Sequence, residues 1–138
     1  MKRRGKALAW AALAAIGMTG ATAWPAAASA DVLLPHPGPD GLVWVKEHTG
    51  DGGVASGGAW DGLPTVLTVA CEGGGSVAVT MESQSADVAA LSVDCPDGAV
   101  GKGTVTMDVG VVRPGSFTVT VDASTETLRW ALTVTQPE

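Results

Sequence analysis

Residues 67–81 read LTVACEGGGSVAVTM, and the fold class turns on them. Leu67, Val69 and Cys71 recur at every second position, the run breaks on Glu72 and three glycines, and Val77, Val79 and Met81 resume the alternation. A period of two sends successive side chains to opposite faces, so each half is a half-buried strand. Glu72 and the glycines suit the positive φ angles of a tight turn, and we expect them to reverse the chain between the two strands. A phosphate cradle would need a helix N-terminus and a lysine after the glycines, and SVAVTM continues as a strand instead.

The pattern runs on to the C-terminus. Ala89, Leu91, Val93 and Cys95 share a face, then Val105, Met107 and Val109, then Phe117, Val119 and Val121, and finally Leu128, Trp130, Leu132 and Val134. The opposite parity is largely threonine, serine, aspartate and arginine, including Thr104, Thr106, Thr118, Thr120, Arg129 and Thr133. The interruptions, SQS, PDG, VRPGS and ASTE, are turn chemistry. No segment beyond residue 30 has helical periodicity. The expectation is an all-β, antiparallel β-sandwich of about seven strands, immunoglobulin-like or jelly-roll in layout.

Cys71 and Cys95 are the only cysteines, and each falls on the apolar parity of its own strand. Two inward thiols on neighbouring or facing strands can reach disulfide spacing, and an even count in an exported chain favours the bond. We therefore expect a Cys71–Cys95 staple, stabilising by about 3–4 kcal/mol on the chain-entropy estimate.

Export is read from the first 30 residues. MKRRGK is followed by the short apolar run ALAWAALAAIGM and by a stretch ending in Ala28-Ser29-Ala30. A positive head, a short apolar middle and a small-x-small end describe a secretory signal peptide, cleaved after Ala30. The run is shorter than the roughly 20 residues that span a bilayer. ALTVTQPE at the other end has neither an apolar tail nor a sorting motif, so the product is expected to be released. Residues 1–30 hold four of the eight basic residues and none of the fourteen acidic ones, so the remainder carries a net charge of −10. That balance disfavours nucleic acid and anionic membrane surfaces as partners.

Between the leader and the regular strands lie two unusual segments. Residues 31–41, DVLLPHPGPDG, contain Pro35, Pro37 and Pro39 and read as an extended arm. Residues 42–138 form the sandwich domain, opening on LVWVK as a first strand. Within it, residues 50–62, GDGGVASGGAWDG, hold six glycines in thirteen positions, which reads as a flexible loop.

Chemistry is sparse. There is no G-x-S-x-G elbow, and His36 and His48 fall in the arm and before the glycine segment, where solvated side chains are expected. Glu47, Asp51 and Asp61 around the glycine segment are oxygen donors of the kind calcium uses, without the spacing of a calcium loop. No metal, cofactor or catalytic residue is assigned, and the expectation is a non-enzymatic protein. Trp130 is expected in the core against the disulfide. Trp60 is expected to plug its loop. As an exposed platform, with Trp44 nearby and Asp51 and Asp61 flanking, it would instead stack on a sugar or enter a partner's pocket.

The cysteine strand, the second cysteine and the closing RWALTVTQ resemble those of small exported proteins from high-GC Gram-positive bacteria, over roughly residues 63–136. The resemblance implies a disulfide-stapled extracellular β-sandwich and transfers no activity and no functional residue. These readings converge on a secreted, monomeric binding module for an extracellular protein or glycan. A wall or polysaccharide binder using tryptophan and an inhibitor of a secreted hydrolase are its variants.

Overall fold

The structure is a computed structural model that describes residues 32–138. The signal peptide expected at residues 1–30 lies outside the described residues. Eight strands follow in chain order: β1 Gly41–Thr49, β2 Gly52–Ala59, β3 Thr65–Glu72, β4 Gly75–Ser83, β5 Ala86–Cys95, β6 Gly101–Met107, β7 Gly115–Ala123 and β8 Arg129–Thr135. They pair antiparallel in two four-stranded sheets, ordered β1-β8-β3-β6 and β2-β7-β4-β5. The chain crosses between sheets at every connection except β4–β5, which is the order of an eight-stranded jelly roll. Of the two layouts compatible with the sequence, the topology selects this one.

The core forms where the apolar parities of the central strands face one another. Leu67, Val69 and Cys71 of β3 and Leu132 and Val134 of β8 pack against Val77, Val79 and Met81 of β4 and Phe117, Val119 and Val121 of β7, all buried. Trp130 is 1 % exposed, pairs across the ladder with Cys71, and donates its indole N–H to the Gly50 carbonyl at 2.7 Å. The disulfide forms as expected. Cys71 on β3 and Cys95 on β5 are joined at a Cα separation of 5.0 Å, tying one sheet to the other.

The glycines after Cys71 turn the chain, but not into a hairpin. Since β3 and β4 belong to different sheets, Gly73 and Gly74, with φ of 129° and 81°, form a corner. Their N–H groups donate to the Pro96 and Cys95 carbonyls at 3.0 and 2.8 Å, fastening the corner beside the disulfide.

Residues 50–62 are corrected more substantially. Most of the segment is strand β2, paired with β7 from Gly52↔Val121 to Ala59↔Gly115. Gly53 answers a packing demand and not a need for freedom: a Cβ there would lie 2.6 Å from the Val119 carbonyl oxygen. This strand is the eighth that the alternation did not reveal. Val109 is also corrected. β6 stops at Met107, opposite Thr65, and Val109 lies in the turn beyond it, 59 % exposed. Pairing ends there because β3 begins after Pro64, which has no N–H to offer the ladder.

The proline arm is likewise not free. Leu33 and Leu34 are buried against Ala70 and Ala131, two alanines on the outward parity of β3 and β8. The Trp44 indole N–H donates to the Leu34 carbonyl at 3.2 Å, and the His36 ring meets Trp44 edge-on at 4.9 Å. The arm therefore lies back over the outer face of the β1-β8-β3-β6 sheet.

Candidate functional site

The two ends of the sandwich are built differently. One end carries the β1–β2, β3–β4, β5–β6 and β7–β8 connections together with the disulfide. There Asp51 accepts the Ala123 N–H at 2.8 Å, and a hollow of about 100 Å³ is lined by Asp51, Ala123, Ser124, Thr125 and Glu126. Arg129 of β8 bridges Glu47 of β1, at 2.7 Å, and Glu72 of β3. The Glu72 hydrogen bond, aided by the charge of Glu47, raises the guanidinium pKa above its ordinary value, and the two ion pairs strap three strands together. His48 places a ring nitrogen 3.0 Å from the Asp51 carbonyl and rests on Trp130. These contacts are architectural.

The other end carries the β2–β3, β4–β5 and β6–β7 connections, and it presents apolar surface on fixed backbone. Trp60, immediately after β2, is 57 % exposed. Its main chain is nonetheless clamped. The Trp60 N–H donates to the Gln136 Oε1 at 3.0 Å, and the Gln136 amide donates to the Trp60 carbonyl at 2.6 Å and to the Thr65 hydroxyl at 3.1 Å. Gln136 is 5 % exposed and Thr65 is fully buried, so this network works in a low-dielectric setting where hydrogen bonds are strong and orphaned groups costly. The neighbouring β6–β7 loop is held the same way. Buried Ser83 accepts the Arg113 N–H at 2.8 Å, and Gln84 donates to the Pro114 carbonyl at 2.8 Å. Val109 and Val111 stand out from that loop with Val112 buried beneath them.

The residues singled out from sequence separate on this frame. Cys71 and Cys95 are bonded to each other. Trp60 is exposed and does not plug its loop: the buried Gln136 anchors its backbone, and the ring lies over Gly62 with most of the residue open to solvent. Trp44 is half-buried and occupied by the arm, so the two tryptophans do not form one surface. Asp61 is exposed beside Trp60, whereas Asp51 caps the backbone of β7 at the opposite end. Glu47, Asp51 and Asp61 are thus not brought together, and among the described residues no three metal-ligating side chains cluster.

Gln136, Thr65 and Ser83 were not anticipated, although a signal exists. Each continues the inward parity of its strand by one step, after Val134, before Leu67 and after Met81. A polar residue at a core position needs a partner, and all three lie at the same end.

The fold and this end define a class: a disulfide-stapled jelly-roll domain presenting an aromatic residue on rigid loops. No family model matches the chain, and no curated protein matches it.

Proposed function

We propose that the protein is a secreted, monomeric, non-enzymatic binding module that meets its partner through the loop end bearing Trp60, Val109 and Val111. One observation carries the reading. A large aromatic side chain is left 57 % exposed while a buried glutamine fixes its backbone on both sides. Exposed apolar side chains on pre-ordered loops bind with little conformational entropy left to lose, and tryptophan is the residue type most enriched at binding hot spots. A buried disulfide in a small β domain is consistent with an extracellular location, in keeping with the leader expected at residues 1–30. Among the described residues no helix is long and apolar enough to cross a membrane.

The glycine segment contributes no inserting loop, since Gly52–Ala59 is a paired strand. An inhibitor acting by loop insertion would have to use the Trp60 corner instead.

The test is position-specific photocrosslinking on the cells that export the protein. A photoreactive side chain in place of Val109 is expected to yield adducts. The same group in place of Asp97, exposed at the disulfide end, is expected to yield none. Adducts from position 97 only, or from neither position, would overturn the assignment.

A further inference from the structure

We propose that Trp60 is a stacking platform for an uncharged polysaccharide whose pyranose units present a flat apolar face, an inference that rests on the Trp60 end being the contact surface. It begins with the attitude of the ring. A Cβ built on Gly62 would lie 2.5 Å from both Cζ2 and Cη2 of Trp60 and 2.8 Å from Cζ3. The six-membered part of the indole therefore rests directly on the backbone at Gly62, in the space a side chain would take. One face of the ring is covered by its own loop, while the residue as a whole is 57 % exposed. An indole meant for a protein pocket would project away from its backbone. This one lies down, and it offers a plane.

A plane of π density selects its ligand. A pyranose with equatorial hydroxyls turns axial C–H bonds toward each ring face, and these meet the negative face of an indole as the positive edges of aromatic rings do. Asp61 adjoins the platform, exposed, with a carboxylate that makes no hydrogen bond or ion pair among the described residues. It is placed to accept sugar hydroxyls. The same carboxylate, on a domain whose net charge without residues 1–30 is −10, disfavours glycans that carry uronate or phosphate. Gln136 completes the design by holding the corner, so the plane exists before the ligand arrives.

The experiment is retardation of the oxidised protein in native gels containing hydroxyethyl cellulose, glycol chitin or polygalacturonate. Retardation by at least one of the two neutral polymers is expected, with none by polygalacturonate. Trp60→Ala and Gly62→Ala should each weaken it at least tenfold. Gly62→Ala is the decisive variant: it keeps the indole but tips it off the backbone, and a side-chain end can swing away without unfolding the domain. An unchanged unfolding midpoint for Gly62→Ala verifies that. Absence of retardation by both neutral polymers, or retardation that survives either substitution, overturns the inference. If no glycan retards the protein while position 109 crosslinks to a protein, the glycan assignment falls and the contact surface stands.

Discussion

Deleting the same side chain at two places separates a platform from a plug. Trp130→Ala removes an indole from the core and orphans the Gly50 carbonyl it serves. Buried tryptophan truncations cost about 3–5 kcal/mol. With an unfolding entropy near 2.1 cal/mol/K per residue, a domain of this size loses roughly 4–5 °C per kcal/mol, so the midpoint should fall by about 14–22 °C. Trp60→Ala is different. An indole side chain offers up to about 250 Å², and with 57 % of the residue exposed only the minor part is covered. At about 25 cal/mol/Å² that covered part, roughly 100 Å², bounds the loss near 2.5 kcal/mol. Much of the cover is Gly62, two residues away, a contact the unfolded chain also makes, so the net loss should be about 1 kcal/mol and 4–5 °C. Thermal unfolding followed by circular dichroism reads both variants. A Trp60→Ala midpoint more than about 10 °C below wild type would show the side chain to be structural and refute the reasoning.

Three further outcomes follow from the architecture. Cys71 and Cys95 stand 24 residues apart with both sulfurs buried; reduction after unfolding should destabilise by about 3.5 kcal/mol, near 16 °C in midpoint, and an unchanged midpoint would show the staple idle. Gly53→Ala should destabilise by about 2 kcal/mol, since its Cβ would strike the Val119 carbonyl in the β2–β7 ladder, while Gly57→Ala, with open space around it, should be neutral or stabilising by up to about 1 kcal/mol. Equal tolerance at both positions in chemical denaturation would mean that this segment is not a paired strand. Leu34→Ala should cost about 2 kcal/mol and shift Trp44 emission to the red as the arm lifts, and an unshifted spectrum would contradict the docked arm.

What was legible in the sequence is what depends on parity within one strand. β3 to β8, the inward cysteines and Trp130 all follow from alternation, because a half-buried strand writes its environment into every second residue. The same habit overran at Val109, where alternation continues one step past the last pairing partner. β2 was illegible for the complementary reason. Glycine carries no face, and the demand for it at residue 53 comes from the Val119 carbonyl on a strand 66 positions later. The docked arm left a trace in Ala70 and Ala131, apolar residues on the outward parity, but their partners Leu33 and Leu34 belong to a segment whose prolines suggest only extension. Exposure of Trp60 is set by Gln136, 76 residues away, and by Gly62 beneath the ring. Local composition cannot express the first of these contacts, although polar residues at the inward positions 65, 83 and 136 marked that end as unusual.

The most direct test of the central claim is tryptophan-selective oxidation of the folded, disulfide-bonded protein, read peptide by peptide with and without hydroxyethyl cellulose. Trp60 should react well ahead of Trp44, Trp130 should scarcely react, and the polymer should slow Trp60 alone. Trp60 reacting as slowly as Trp130, or equally fast in the presence of a polymer that retards the protein, would contradict the claim.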